Sequence, residues 1–288
     1  MRLLTDRVQQ ITNELLDAMR RQGPPIDLVQ VFAQPLPALM ICELLGVPYS
    51  EHEYFQRQVA KMTSAESGDV EAIFHAGAEL NEYIRTLVVA KRAKPTDDLL
   101  SDLAVTTDLS DEELAGIGGF LLGAGFDTTT NMLSLGAFAL LDNPEQLAIM
   151  RDEPENTDQA VEELMRYLSI AHTTSRTATE DIEIAGQTIK AGDTVVVSLQ
   201  AANRDPKQFP DPDVLDLRGK GGGHLGFGHG VHQCLGQQLA RVEMRTALPA
   251  LLRRFPTLRL AIPPGQVPLR GPEHNIYGLT HLPVTWQS

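Results

Sequence analysis

The chain has 288 residues and 42% of them are hydrophobic, so it can form the core of one large domain or of two small ones. Its formal net charge of −14 argues against a nucleic-acid partner, because binding phosphates requires clustered lysine and arginine. No apolar run reaches the ~18 residues of a membrane span, and charged residues interrupt the N-terminus before an apolar signal segment can form. Cys42 and Cys234 lie in different contexts, which favours a cytoplasmic protein without a disulfide.

The chain up to residue 168 is predicted to be helical, because apolar residues recur three and four positions apart in successive segments. The first helix begins near the N-terminus and ends at Gly23, which two prolines follow. The Ser-x-x-Glu motif at residues 50–53 and again at 110–113 predicts a capping box at the start of a helix. Further helices are predicted at residues 37–45, 70–92, within 96–108, 110–141, from 143 onward and at 156–168.

The remainder of the chain mixes strands, irregular segments and one long helix. Turn signals between β-rich stretches predict a small hairpin sheet over residues 182–198, and residues 267–286 form a second β-rich stretch. Residues 203–223 are dense in proline, aspartate and glycine and predict a long irregular segment, which in a compact domain is usually functional. Since no repeat or linker interrupts it, the sequence predicts one mainly α domain with a minor β-sheet over residues 1–288.

Residues 227–236 read Phe-Gly-His-Gly-Val-His-Gln-Cys-Leu-Gly, and an apolar-periodic helix that includes Leu235 and Leu239 is predicted to follow. A thiol must lose its proton to bind a metal, and the N-terminus of a helix favours the thiolate. The glycines allow backbone N–H groups to approach the sulfur of Cys234 closely. This pattern predicts a metal-ligating thiolate, whereas a lone cysteine is otherwise most often a small buried hydrophobic residue.

Residues 124–129 read Ala-Gly-Phe-Asp-Thr-Thr and lie within the long apolar helix. A carboxylate beside threonines in mid-helix is costly, because these residues are poor helix formers and burial of a charge costs free energy. One interpretation is structural: Asp127 caps a helix end, or the threonines donate to carbonyls of the preceding turn. The functional interpretation is a proton relay in which the Thr128 hydroxyl is supplied with protons by the Asp127 carboxyl group.

Glu163 and Arg166 place opposite charges three positions apart on one helix. Such a pair is most often solvated at the surface, where it contributes under ~1 kcal/mol. The apolar residues around this pair favour a buried structural role instead.

Three segments resemble motifs of the cytochrome P450 superfamily, the haem-thiolate monooxygenases. Residues 227–236 resemble its haem-binding loop, residues 124–129 resemble its oxygen-activation motif, and residues 163–166 resemble its Glu-x-x-Arg pair. The resemblance implies the cytochrome P450 fold, with a haem b whose iron is bound by Cys234 and with dioxygen as the co-substrate.

The same resemblance implies roles for individual residues around the haem. Thr128 hydrogen-bonds the activated oxygen and Asp127 supplies its protons, while His232 and Arg176 bind the haem propionates. Six further positions of the two motifs are expected to lie at the cofactor: Phe227, Gly228, Gly230, Gly236, Ala124 and Gly125.

In the superfamily a third basic residue completes the network of the Glu-x-x-Arg pair, which here is Glu163 and Arg166. Val214 stands where that arginine is often found, and Arg218 is the expected substitute.

The resemblance further implies that electrons from NAD(P)H arrive through a ferredoxin-type carrier and that a small or medium-sized organic substrate is hydroxylated or epoxidised. Contacts to this substrate are expected from the helix ahead of Gly125, from residues 171–175 and from residues 275–279. The likeness to actinobacterial members favours the tailoring of a secondary metabolite by a soluble enzyme.

Met1 aligns well inside the usual fold, so the chain is expected to comprise its C-terminal three quarters, without the N-terminal strands and the segment over the substrate pocket. Two alternatives therefore stay open beside the monooxygenase. One is a chain that binds haem without turnover, because a pocket without its cover is open to water. The other is a peroxide-driven peroxygenase, against which the Asp127–Thr128 pair counts, since peroxide-driven chemistry does not need a proton relay.

Overall fold

The computed structural model describes residues 2–63, 70–219, 221–271, 274 and 276–287. Its helices are α1 (Arg2–Gln22), α2 (Pro35–Leu45), α3 (His52–Thr63), α4 (Val70–Ala93), α5 (Leu99–Thr106), α6 (Asp111–Asp142), α7 (Pro144–Asp152), α8 (Thr157–Leu168), α9 (Leu199–Ala202) and α10 (Gln237–Arg254). Its strands are β1 (Ile26–Asp27), β2 (Thr173–Thr177), β3 (Ile182–Ile184), β4 (Gln187–Ile189), β5 (Thr194–Ser198), β6 (Arg259–Leu260) and β7 (Pro283–Thr285). The prediction of a mainly helical chain with a minor sheet is confirmed. No helix within these ranges is long and apolar enough to cross a bilayer.

Helix α6 begins at a capping box, as its sequence predicts. The N–H of Glu113 donates to Oγ of Ser110 at 3.2 Å, and the N–H of Ser110 donates to Oε2 of Glu113 at 2.8 Å. The second predicted box, at residues 50–53, is wrong, because Ser50 lies inside a 3₁₀ turn (Tyr49–Glu51) that precedes α3.

In the described part of the chain the strands form three small antiparallel sheets. Strands β1, β7 and β6 form one sheet in that order, β3 and β4 form a hairpin, and β5 pairs with β2. The β2–β5 ladder runs from Thr173 opposite Ser198 to Thr177 opposite Thr194. The hairpin expected over residues 182–198 is therefore confirmed for β3 and β4, while the inclusion of β5 in it is wrong. Strand β5 leaves the hairpin because it finds a partner of its own length in β2, earlier in the chain.

Helix α6 passes through both hydrophobic clusters of the described structure. Its N-terminal half contributes Leu114, Leu122 and Phe126 to a cluster with α2, α4 and α5. Its C-terminal half, which includes Leu133, belongs to a larger cluster that α8 and α10 share. The polar residues 127–131 lie between these two halves, where the helix leaves one core and enters the other. This interruption places the predicted oxygen-activation motif at the junction of the two clusters.

Candidate active site

The loop that ends at Cys234 is a tight turn held by backbone hydrogen bonds. The N–H of Cys234 donates to the carbonyl of Phe227 at 2.9 Å, and the N–H of Gly228 donates to Leu225 at 2.8 Å. Gly228 and Gly230 have φ angles of 70° and 77°, a region that side chains with a Cβ rarely adopt. These two glycines therefore shape the turn, and α10 follows it directly, as expected for a thiol near a helix N-terminus.

Cys234 carries a free, exposed thiol. Val231 and Leu235 on either side of it are 97% and 81% exposed, and Leu235 lies ahead of α10, which begins at Gln237, so its expected place in the apolar periodicity of that helix is wrong. A Cβ at Gly236 would lie 4.0 Å from the sulfur, so the surface beside the thiol is formed by backbone. A soft thiolate flanked by exposed apolar side chains suits a flat, largely apolar metal macrocycle. The residues present therefore fit a haem.

The polar segment of α6, residues 127–131, supports one part of the structural interpretation of its motif and contradicts the other. The Thr128 hydroxyl donates to the carbonyl of Ala124 at 2.7 Å, as the structural interpretation of the threonines expects. The capping interpretation of Asp127 is wrong, because α6 continues to Asp142. The Asp127 carboxylate instead accepts a hydrogen bond from the side chain of Asn131 at 3.2 Å.

The same carboxylate is bound by Arg270, which sequence reasoning did not single out. The guanidinium nitrogens Nη1 and Nη2 donate to Oδ2 and Oδ1 of Asp127 at 3.0 and 2.7 Å. Arg270 is held by its own N–H, which donates to Gly278 at 2.9 Å, and by a β-bridge between Leu269 and Leu279. No sequence motif marks this arginine, because its partner lies 143 positions earlier in the chain.

A second carboxyl group, that of Glu243 on α10, packs against the polar segment of α6. Glu243 is 2% exposed, and burial raises its pKa to about 8, although a hydrogen bond with Thr129 opposes the rise. This contact brings the helix that follows Cys234 against the neighbour of Thr128. The two motifs, far apart in sequence, are therefore connected through the α6–α10 packing.

Glu163 and Arg166 form the buried ion pair that their surroundings predict. Nε and Nη2 of Arg166 donate to the two carboxylate oxygens of Glu163, both at 2.8 Å, and each side chain is 4% exposed. The carbonyl of Val214 accepts from Arg166 at 3.1 Å, so backbone completes the network where a third basic side chain was expected. The substitute role expected of Arg218 is wrong, because its side chain is 61% exposed and pairs with Glu153.

Arg176 and His232, the expected propionate ligands, are exposed on different elements. Arg176 lies on β2, where its Nη1 donates to Oγ1 of Thr174 at 2.9 Å and to the carbonyl of Ser175 at 2.7 Å. His232 ends a 3₁₀ turn within the cysteine loop. Both side chains are accessible, and their role at a cofactor stays a prediction.

The remaining predicted positions have mixed surroundings. A Cβ at Gly125 would lie 2.8 Å from Cδ1 of Ile41 on α2, so close helix packing accounts for this glycine, while Ala124 is exposed. Residues 171–175, expected to contact substrate, overlap the start of β2; Thr173 and Ser175 are exposed and the other three are half-buried. Asn275, in the third expected substrate segment, lies outside the described residues.

The sequence matches known proteins over almost its whole length. A family model for cytochrome P450 matches residues 71–283. Cytochrome P450 105C1 of Streptomyces sp. is 50% identical over 99% of this chain and 75% of that protein. Pentalenic acid synthase of Streptomyces avermitilis is 47% identical over 98% of this chain and 71% of that protein.

Solved structures show the same relationship. The crystal structure of cytochrome P450 MoxA from Nonomuraea recticatena is similar with a TM-score of 0.94 at 46% identity, over 99% of this chain and 72% of that one. The crystal structure of GfsF has a TM-score of 0.95 at 45% identity, over 99% of this chain and 74% of that one. The fold expected from the sequence motifs is therefore confirmed, and the chain spans between 71% and 75% of the length of these relatives.

Proposed function

This chain belongs to the cytochrome P450 family of monooxygenases, and from that premise we propose that it hydroxylates or epoxidises a small or medium-sized organic molecule with one atom of dioxygen. The observation that carries the proposal is the exposed thiol of Cys234, presented by a tight glycine turn directly ahead of α10. Such a thiol is placed to bind a metal rather than to fill a core.

Haem b, when bound, supplies the binding and reductive activation of dioxygen. Cys234 would hold its iron as a thiolate, and the exposed cations Arg176 and His232 would bind its propionates. The motif positions that would lie against the macrocycle are Phe227, Gly228, Gly230, Gly236, Ala124 and Gly125.

Thr128 and Asp127 are the groups of this chain that would move protons. The Thr128 hydroxyl donates its hydrogen to Ala124, and its free lone pairs can accept another. Asp127 lies next to it in sequence, with its charge balanced by Arg270. Rotation of the Thr128 hydroxyl away from the Ala124 carbonyl is therefore the movement that a relay through this pair requires.

The electrons are proposed to come from NAD(P)H through a ferredoxin-type carrier, with the enzyme acting in the cytoplasm. The support for the carrier is membership of the family. Two relatives, 47% and 44% identical, are named pentalenic acid synthase and nocardicin C N-oxygenase, which supports a small molecule of secondary metabolism as the substrate.

The first test is the absorption spectrum of the purified chain, reduced and exposed to carbon monoxide, beside Cys234→Ala and Cys42→Ala. Cys42 is the matched control, because it is buried in α2 and burial raises the pKa of its thiol. We expect the strongly red-shifted Soret band of a thiolate complex in the parent and in Cys42→Ala, and its loss in Cys234→Ala. Absence of bound haem, or an unshifted band in the parent, would contradict ligation by Cys234.

Turnover then separates the monooxygenase from the chain that binds haem without activity. Reconstitution with a ferredoxin and its reductase is expected to give substrate-dependent NAD(P)H consumption with a hydroxylated or epoxidised product. Haem binding through Cys234 without any oxygenated product would favour the inactive alternative.

A further inference from the structure

A partly buried charge cluster borders the cysteine loop, and sequence reasoning gave its residues no role. It consists of Glu162 on α8, His224 ahead of the loop and Arg241 on α10, and it is called the loop anchor below. Arg241 donates from Nε to Oε1 of Glu162 at 2.6 Å and from Nη2 to Oε2 at 2.8 Å. Nε2 of His224 lies 3.0 Å from Oε2 of the same carboxylate. The side chains of Glu162, Arg241 and His224 are 20%, 16% and 3% exposed.

His224 connects the loop anchor to the backbone of the loop. Its Nδ1 accepts the N–H of Gly226 at 3.0 Å, so the proton of the neutral imidazole is on Nε2 and is donated to Glu162. Gly226 packs closely against α8, since a Cβ there would lie 3.1 Å from the carbonyl oxygen of Met165, a tight contact. The backbone immediately before Phe227 is therefore fixed against α8.

Arg241 connects the same carboxylate to both ends of the loop. Its guanidinium carbon lies 4.5 Å from the centroid of the Phe227 ring, and its Nη1 donates to Oε1 of Gln237 at 2.9 Å. The carbonyl of Phe227 in turn accepts the N–H of Cys234. One side chain thus contacts the residue that opens the loop and the first residue of the helix that follows it.

The carboxylate at the centre of the loop anchor is held in its charged form. Burial of Glu162 would raise its pKa, yet the hydrogen bonds from Arg241 and His224 lower it to about 2. Hydrogen bonds to an ionised acceptor are shorter and stronger than neutral ones. The anchor therefore stays charged at neutral pH and orients both of its donors.

We propose that Glu162 is a positioning residue for the Cys234 ligand: through His224 and Arg241 it holds residues 224–237 in the turn that presents the thiol. Without this carboxylate the two partly buried donors lose their charged acceptor, the turn at Phe227 loosens, and the thiol samples orientations in which it does not bind. The part that concerns haem rests on the proposed function, whereas the ordering of the loop does not.

The test compares Glu162→Gln with Asp158→Asn and Arg241→Lys. Asp158 is the matched control, because it joins the same two helices through Arg245 at 3.1 Å but is 76% exposed and contacts the helix rather than the loop. Arg245 also lies 3.8 Å from Oε1 of Glu162, so both substitutions weaken this outer ion pair and only Glu162→Gln removes the contacts to His224 and Arg241. In Glu162→Gln we expect part of the ferrous carbon monoxide complex to move to the unshifted band and the haem midpoint potential to change. Asp158→Asn is expected to keep both at parent values. Arg241→Lys keeps the positive charge but not the planar guanidinium group. Its Soret band and midpoint potential are expected to lie between those of Glu162→Gln and Asp158→Asn.

Amide hydrogen exchange of the chain without haem tests the loop independently. The N–H of Cys234 is expected to exchange about tenfold faster in Glu162→Gln than in the parent and to be unchanged in Asp158→Asn. Unchanged exchange together with an unchanged Soret band would overturn the proposal. If the parent binds no haem through Cys234, the proposed function fails, and the exchange result alone still decides whether Glu162 orders the loop. If Glu162→Gln does not fold, the same comparison is made with Arg241→Lys.

Discussion

Arg270 and Asp127 form a bidentate ion pair that joins the C-terminal tail to the polar segment of α6. The arginine side chain is 12% exposed and the aspartate side chain 26%, so the pair is largely withdrawn from water. Asn131 donates a further hydrogen bond to the same carboxylate. Two neighbours thus hold the carboxylate of Asp127, which is proposed to pass protons, in one orientation. Arg270 is therefore expected to contribute to proton delivery.

Replacement of Arg270 by glutamine is predicted to lower the yield of oxygenated product per NAD(P)H by roughly tenfold, with the balance appearing as peroxide. The physical reason is that the Asp127 carboxylate loses its counter-charge and its fixed orientation, while the loop that carries Cys234 is unchanged. Arg270→Lys keeps the charge and is the matched control, for which partial recovery is expected. A variant whose product yield and peroxide release equal those of the parent would show that the ion pair has no part in proton delivery.

Glu243 is predicted to make the protein less stable as the pH rises. Its pKa is about 8 in the folded chain against an ordinary value of 4.5. Between these values the unfolded chain releases a proton that the folded chain retains, so the free energy of unfolding falls by at most about 1.4 kcal/mol per pH unit. Below 4.5 and above about 8 the contribution of Glu243 to this slope ends.

The measurement is urea unfolding of the parent and of Glu243→Gln across that interval. The variant cannot ionise, so we expect the parent to lose stability relative to it with rising pH, and the two curves to become parallel at the alkaline end. Parallel curves over the whole interval would mean that the folded chain already ionises Glu243 at its ordinary pKa.

The helices were predictable because their signals are local. The capping box at Ser110 and the apolar periodicity of α6 lie within a few residues of the elements they define. The pairing of β5 with β2 was not predictable, since a strand's partner is chosen by tertiary contacts and the nearer hairpin was equally plausible. The capping box predicted at Ser50 is wrong for a different reason, because the same sequence motif also fits a 3₁₀ turn.

In the candidate site, too, the local features were predictable from the sequence and the long-range contacts were not. The cysteine loop is recognisable because its residues are contiguous, whereas Arg270 and the partners of Glu162 contact their carboxylates across long stretches of sequence. The carbonyl of Val214 completes the Arg166 network, and a backbone carbonyl has no sequence signature at all. Arg218 is the opposite case. Its residue type and its place in the sequence suit the Arg166 network, but its side chain pairs with Glu153 instead.

Replacement of Glu163 by glutamine is predicted to lower the free energy of unfolding by about 3 kcal/mol, because it leaves the buried Arg166 guanidinium without a counter-charge. The matched control is Glu82→Gln, which breaks the Glu82–Arg85 pair at the same three-residue spacing on an exposed helix face. The control is expected to change stability little, since water and salt screen the exposed pair. Equal effects of the two substitutions in chemical denaturation would contradict a structural role for the buried pair.

Thr128→Ala distinguishes the monooxygenase from the peroxide-driven alternative. The variant loses the hydroxyl that donates to Ala124 but keeps the Asp127–Arg270 pair, so the fold of α6 is expected to persist. A monooxygenase that uses this hydroxyl for proton delivery should lose coupling by roughly tenfold or more and release peroxide when driven by NAD(P)H. The same variant supplied with hydrogen peroxide is the internal control, because that route bypasses the relay. If the substitution changes the product yield of neither the NAD(P)H-driven nor the peroxide-driven reaction, Thr128 does not act in proton transfer. The peroxygenase is then the better description of this chain.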